Sequence, residues 1–527
     1  MTTTASSGFG PLRQTVFAVL WVATIIGNIG SFARDIASSW LVTDLSSSPL
    51  AVAMVQAAAT LPVFLLAIPA GVLSDILDRR KFLIGIQILM ASVSICLLLL
   101  SATGLQTILS LVALTFVGGI GAALMGPTWQ AIVPELVKKQ DLRDAVALNS
   151  LGINIARAIG PALGGIVLAT FGTSVTYGVD VISYLFVITA LLWWKRAKTD
   201  SDELAEKFFG AFRAGLRYTM ASRELHVVLL RTFLFFAFCS SVWALLPLVA
   251  RRVLGGDAGF YGILLGAVGV GAIAGAFLLP TLRQKCSADG LLLLASIITA
   301  SVMALLSIAP PQWLAVVALV VLGCGWIIAL TTFNGVAQSI LPNWVRGRSL
   351  AVYLTVFNGA MTAGSLAWGA LAQSAGVQET LFIGAIGIIV IGVVSYRLRL
   401  PKGESDLLPS NHWPEPLTAE VVEHDRGPVL IQIEYDVDPQ HRAPFLKAIY
   451  NLAYERRRDG AYNWGITEDS ANPRILLEWF MVESWAEHLR QHRRVSKADA
   501  DIQAELLQYH TGDEPPKVRH FITTPRP

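Results

Sequence analysis

Charge is what this sequence has least of. Only 15% of its 527 residues are Asp, Glu, Lys or Arg, where an ordinary soluble protein carries roughly 25%, and 54% are hydrophobic. That shortage excludes a typical water-soluble enzyme. Cysteine is scarce as well: Cys96, Cys239, Cys286 and Cys324 are the four present. None has CxxC spacing, so they read as small buried side chains rather than disulfides or metal ligands. The basic residues of the first 400 positions form no continuous stripe, which argues against nucleic acid as a partner. No flavin or nicotinamide fingerprint is visible, and no cofactor is expected. A cleavable signal peptide is not expected either, because Met1 to Arg13 is polar and the long apolar run after it lacks a small-residue cleavage site.

The scarcity is uneven. The last 127 residues hold 15 Lys+Arg and 21 Asp+Glu, so nearly half of all charges fall in less than a quarter of the chain. A lipid-adapted part therefore precedes a water-adapted one.

A bilayer core about 30 Å thick needs about 20 mostly apolar helical residues. Twelve runs meet this, at 15–43, 50–74, 82–102, 107–133, 146–172, 175–195, 225–250, 258–280, 289–309, 312–340, 349–373 and 378–396. The even-numbered connections are basic, with Arg79, Arg80 and Lys81 in the first and Arg346 and Arg348 in the last. The other side carries only Arg251 and Arg252. Positive charge stays inside, so both termini should be cytoplasmic, with Trp193 and Trp194 at the interface of a cell (inner) membrane. The longest internal connection divides the spans into six plus six. This gives a helical bundle over 1–196, a cytoplasmic loop over 197–223, a second bundle over 224–400, a linker over 401–427 and a separate domain over 428–527. Gly71, Arg79 and Lys81 recur at the same spacing as Gly275, Arg283 and Lys285. Two echoing halves are the signature of an alternating-access carrier.

Several stretches over residues 10–400 resemble the major facilitator superfamily. Gly71-Val-Leu-Ser-Asp75 followed by Asp78-Arg79-Arg80-Lys81 is similar to its loop signature, departing from it at Ile76 and Asp78. The resemblance implies a gate in which Asp75 pairs with cations, Arg346 and Arg348 being the candidates. Gly160-Pro161-Ala-Leu-Gly164-Gly165 in the fifth span looks like the signature of exporters that exchange substrate for protons. Its glycines also suit close helix packing, and Pro161 can bend the helix. The position where many proton antiporters carry Arg is Thr115 here, so Arg157 or another buried charge would have to substitute. Trp40 to Pro49, Pro127 to Leu136 and Val345 to Leu350 together resemble the branch of transmembrane secretion effectors that includes the enterobactin exporter. That branch implies efflux of a small organic molecule.

An ionisable group inside a span is costly and is a functional candidate by default. Asp35 is the first candidate for the proton-carrying carboxylate, with Arg34 and Arg157 as its coupling partners. The alternative for Asp35 is a structural ion pair. Asp180, a few residues into its span, reads as interfacial. Asn28, Gln56, Trp129, Gln130, Asn154, Asn334 and Asn358 are candidates for a cavity that binds a polar aromatic substrate.

After a Pro- and Glu-rich linker the pattern changes. Strands are expected at 429–435, 462–468, 474–482 and 517–523, with helices at 442–458 and 483–510. The order βαββαβ is that of a ferredoxin-like α+β unit, and Glu483 to His492 is similar to antibiotic-biosynthesis monooxygenases. His488 and His492 share one helical face, but two histidines without a third ligand favour a polar surface or a dimer contact over a metal site.

The expected protein is thus an all-α membrane carrier of twelve helices in two six-helix halves, plus a small cytoplasmic α+β domain. It would be a transporter and not an enzyme, with protons, a small molecule and the lipid bilayer as partners. The alternatives are a proton-coupled uptake symporter and a membrane-anchored oxidoreductase whose activity lies in the tail.

Overall fold

A computed structural model describes residues 10–195, 208–342, 344–401, 422–423 and 426–524. Its first helices are α1 (Thr15–Leu45), α2 (Pro49–Ile76), α3 (Arg79–Ala102), α4 (Ile108–Leu136) and α5 (Leu142–Trp193). After α6 (Phe208–Ala221) come α7 (Arg223–Leu248), α8 (Ala258–Lys285), α9 (Ala288–Ser307), α10 (Gln312–Ser339), α11 (Arg346–Ala375) and α12 (Val377–Ser395). Among the described residues eleven helices are long and apolar enough to cross a membrane. Large apolar side chains point outward from them, Phe277 being 81% and Leu109 79% exposed. In water such exposure would be an aggregation hazard; hydrocarbon makes it neutral.

Local chemistry sets where the helices start. Ser48 caps α2 ahead of Pro49, Thr107 and Ser110 form a capping box on α4, and Asp257 and Ser287 cap α8 and α9. Asp78, which departs from the loop signature, accepts the Lys81 backbone N–H and so caps α3.

The fifth and sixth expected spans form one 52-residue element, α5. A straight helix of that length would measure about 78 Å, more than twice the hydrocarbon thickness. It is not straight: Gly172 has φ +81° and ψ 176°, a conformation that needs glycine, and the chain breaks there into two helices. On the first segment, Trp21 Nε1 donates to Leu148 O at 2.8 Å, and a Cβ on Gly164 would lie 2.6 Å from Ala33 Cα. On the second, Tyr184 meets Ser31 and Tyr177 meets Ser38. Residue numbers rise together with α1 in the first segment and fall in the second, so the two run in opposite directions on either side of Gly172.

The chain forms two compact units. One comprises residues 1–205, 227–335 and 353–400, which joins both groups of long helices. The other comprises 206–226, 336–352 and 401–527, so α6 belongs with the tail and not with the long helices.

In the tail, β1 (Val429–Asp436), α13 (Arg442–Arg458), β2 (Asn463–Glu468), β3 (Ile475–Val482), α14 (Trp485–Arg494), α15 (Lys497–Leu507) and β4 (Lys517–Ile522) build a four-stranded antiparallel sheet in the order β2-β3-β1-β4. The helix expected over 483–510 is two, because Val495 leaves helical geometry at ψ 122°. Alternate residues of β1 and β3 are buried, and Ile431, Tyr435 and Phe480 meet Phe445, Ile449 and Leu452 of α13 in the core. The fully buried Glu478 accepts from Arg456 Nε at 3.2 Å, Trp464 Nε1 at 2.9 Å and the Tyr435 hydroxyl at 3.1 Å. Burial, then Glu478, holds the Tyr435 hydroxyl well above its ordinary pKa.

This second unit has an ionic seam between α6 and the tail. Arg217 lies 3.3 Å from Glu487 and 3.7 Å from Glu483, and Arg213 donates to Glu483 at 2.8 Å. Burial opposes the charge of Glu487, but Arg494, Arg217 and Arg490 outweigh it and hold the carboxyl below its ordinary value.

Candidate functional site

Arg34 is the centre of a polar cluster between α1, α3 and α5. Its Nε and Nη2 donate to one carboxylate oxygen of Asp35 at 3.1 and 2.9 Å, and its Nη1 donates to the Tyr184 hydroxyl at 3.0 Å. Nη1 also lies 3.6 Å from Asp180 Oδ2. Asp180, fully buried, accepts from Ser94 Oγ at 2.6 Å. Gly30 makes this approach of α1 and α5 feasible, because a Cβ there would sit 2.2 Å from Ser183 Oγ and 2.9 Å from Asp180 Oδ1. The guanidinium thus serves two carboxylates in different settings. The Asp35 side chain is 58% exposed, that of Asp180 not at all. A buried charge persists only when paired and hydrogen-bonded, and Asp180 has both supports.

Asp35 and Arg34 line a cavity of about 340 Å³ together with Asn28, Ser31, Gln87, Trp129, Gln130, Asn149 and Tyr184. That volume suits a small organic ligand. Trp129 Nε1 is fixed by Asn149 Oδ1 at 2.7 Å. Gln87 gives its amide N–H to Met125 Sδ, and its buried Oε1 has no partner among the described residues. Apolar walls with a few convergent polar groups suit a ligand that presents both an aromatic face and hydrogen-bonding groups.

Of the expected cavity residues, the structure brings Asn28, Trp129 and Gln130 to this wall. Gln56, Asn154, Asn334 and Asn358 lie outside its lining; Asn154 and Asn358 donate instead to the carbonyls of Ser150 and Leu354 on their own helices. Arg157 lies outside the cavity lining and is not bonded to the Asp35 cluster among the described residues. Asp180, expected to be interfacial, is fully buried where α1 packs against α5. Gln87, Asn149 and Tyr184 were not legible, because only the fold brings α3 and both segments of α5 to one wall.

The glycine signature sits where helices touch. A Cβ on Gly160 would lie 2.8 Å from the Phe32 Cβ, and one on Gly165 would lie 2.5 Å from Gly262 Cα of α8. Gly165 therefore abuts the second group of helices backbone to backbone. More bonds join the two groups at this end: Arg251 pairs with Asp44 and donates to Thr43 Oγ1, Arg252 donates to Ser47 O at 2.6 Å, and Ser48 donates to Gln373 at 2.7 Å. Arg251 also covers the Trp40 ring, which stacks on Tyr261. One end of the bundle is closed.

At the other end, Arg79 donates to Glu135 at 2.8 Å and to Ala131 O at 3.2 Å, and Arg80 donates to the carbonyls of Leu191 and Leu192. Arg283, the echo of Arg79, donates to Thr331 O. Arg79, at the start of α3, is thus tied to α4, and Arg283, at the end of α8, to α10. A Cβ on Gly71 would meet open space. The Asp75 side chain lies outside the described residues. Arg346 donates to Leu341 O at 3.1 Å, and Arg348 packs on Gly215. Arg231, another charge within a span, pairs with Asp289 and donates to Leu398 O, pinning α7 to α9.

A family model described as transmembrane secretion effector matches residues 6–527. The staphyloferrin A transporter of Staphylococcus aureus (strain NCTC 8325 / PS 47) is 26% identical over 388 residues, covering 72% of this chain and 96% of the relative. The multidrug efflux pump Tap of Mycolicibacterium fortuitum is 26% identical over 399 residues, covering 73% and 95%. Among solved structures, a bacterial homolog to the human lysosomal transporter Spinster, inward-facing and unoccupied, matches with a TM-score of 0.58 at 16% identity, over 74% of this chain and 97% of that one. A likeness at that identity bears on the fold alone.

Proposed function

Because the chain belongs to the transmembrane secretion effector family of major facilitator transporters, we propose that this multi-pass membrane transporter exports a small organic molecule, siderophore- or drug-like, in exchange for protons. The observation that carries the reading is Arg34 held between a cavity-facing and a buried carboxylate. When Asp35 is ionised, it holds the Nε and Nη2 edge of Arg34. A proton taken up on Asp35 cancels that attraction and leaves Arg34 to Asp180, which reshapes the cavity wall. Arg34 also supplies the cation that α4 lacks at Thr115: its Nη1 lies 3.9 Å from where a Cβ on Gly118 would be, one turn away.

In this reading the two segments of α5 are separate crossings. They raise the eleven long helices to twelve and put both termini in the cytoplasm. The closed end, with Arg251, Arg252 and the Gly165–Gly262 contact, is then the outer one, and the carrier rests inward-facing. Arg157 has no ion pair or hydrogen bond among the described residues and lies one turn beyond the cavity-lining Ile153, so it is assigned to an anionic group of the substrate. The tail is read as a ferredoxin-like unit related to antibiotic-biosynthesis monooxygenases, and the enterobactin exporter branch as the nearest functional parallel.

Transport of a siderophore and drug panel into inverted vesicles, with and without a pH gradient, tests this. Export by exchange predicts uptake into inverted vesicles that collapses with the gradient, and Asp35→Asn should remove the gradient dependence. Uptake only into right-side-out vesicles, or wild-type pH dependence in Asp35→Asn, would overturn the direction or the proton role respectively.

A further inference from the structure

The tail contains a cluster that transport does not use. His488 and His492 lie one turn apart on α14, and β4 brings His520 against them. Each offers one imidazole nitrogen, and the three nitrogens lie within 4.8 Å of one another. The Nε2 atoms of His488 and His492 are 3.2 Å apart. Two nitrogens bound tetrahedrally to one zinc at about 2.0–2.1 Å would stand about 3.3 Å apart. The ring of His520 is 4.7 Å from that of His488, centroid to centroid, and Trp485 flanks both.

We propose that His488, His492 and His520 bind one divalent cation of the zinc class. The placement and the donor set support this. His488 is 2% exposed and turns its Nε2 to the Nε2 of His492. The donor set is also right: three imidazoles suit zinc, copper, nickel and cobalt, not the oxygen-seeking calcium or magnesium. The nearby Arg456 is paired with Glu478, and Arg490 and Arg494 share Glu487 with Arg217.

Each histidine has a scaffold. Ser484 caps α14 through the Glu487 N–H and fixes the helix start. His520 is held in register opposite Ile431 of β1 and faces inward with Ile522, while Arg519 and Phe521 face out. The site joins the helix layer to an edge strand near the chain end, and three protein nitrogens leave a fourth position for water.

The full-length protein, purified in detergent without a polyhistidine tag, is titrated with Co²⁺ and then with competing Zn²⁺. The expected result is one equivalent of Co²⁺ per chain with visible d–d absorption, displaced by Zn²⁺. Loss of an outer-shell partner alone costs 10–100-fold in affinity, so His520→Ala and His492→Ala should each weaken binding by at least about 100-fold. His510→Ala should bind normally, since His510 sits elsewhere, bonded to the Asp436 N–H and near Glu514 O. Absence of stoichiometric metal in the wild type, or wild-type binding by His520→Ala, would overturn the proposal and leave the three rings as packing. Should a variant fail to elute as a folded monodisperse species, Cu²⁺ bound to the wild type counts the nitrogens directly by electron paramagnetic resonance. Fewer than three equatorial nitrogens contradicts the assignment.

Discussion

Gly165 of α5 and Gly262 of α8 touch through their backbones, a Cβ on either falling 2.5–2.6 Å from the Cα of the other. No side chain fits there unless the two groups of helices move apart. Overpacking a tight contact costs about 1–3 kcal/mol, enough to bias a carrier whose two states differ by a few kcal/mol. Gly262→Val is expected to disfavour the closed end, increase labelling of a cysteine placed at Asp44, and lower transport at least tenfold. Unchanged labelling and transport would show that the contact does not limit closure.

Arg34 is the sole cation bonded to both Asp35 and Asp180 among the described residues. Removing one partner of a buried pair leaves an uncompensated charge and costs about 3–5 kcal/mol, so Arg34→Ala should lower thermal stability markedly. Combining it with Asp180→Asn should recover much of the loss, because the stranded carboxylate goes too. Asp35→Asn, by contrast, should be nearly neutral for stability, since the Asp35 side chain is mostly in solvent. Melting curves of the three variants and the wild type separate these outcomes.

Legibility followed the range of the interactions. Hydropathy and loop charge mark the long helices because those signals are local, and Gly160, Gly164 and Gly165 were readable as a packing face from spacing alone. The burial of Asp180 was not legible, because its partner Ser94 lies 86 residues away. His520 was missed for a related reason. It follows His492 by 28 positions on a strand, and only the β1–β4 pairing carries it to α14. Alternation did reveal β1 and β3, whereas the break at Val495 left no mark in the periodicity.

Arg217 and Arg213 are both bonded to the tail, yet they should not matter equally. Arg213 is 62% exposed, and its pair with Glu483 contributes within the usual 0–1 kcal/mol of a surface ion pair. The Arg217 side chain is 17% and that of Glu487 7% exposed, and a bond between charged groups so placed contributes about 1.5–3 kcal/mol. Arg217→Ala should therefore speed hydrogen exchange in α6 by roughly tenfold or more, while Arg213→Ala leaves it within about threefold. Partial recovery in Arg217→Glu with Glu487→Arg would assign the effect to the pair itself.

Arg157 gives the sharpest view of the substrate. A guanidinium in a membrane span is expensive unless paired, and no described protein group pairs with it. Asn149 and Ile153, which line the cavity, lie two turns and one turn before it on the same face of α5. If the substrate carries a carboxylate or similar anion, Arg157→Gln removes a charge-assisted contact worth about 1.5–3 kcal/mol, a 10- to 150-fold rise in half-saturating concentration for anionic substrates. Neutral and cationic drugs should be transported as before or better. Binding titrations of the purified carrier with a polycarboxylate siderophore and a cationic dye test this pair of outcomes. An equal loss for both ligands would mean that Arg157 supports the helix, with no part in recognition.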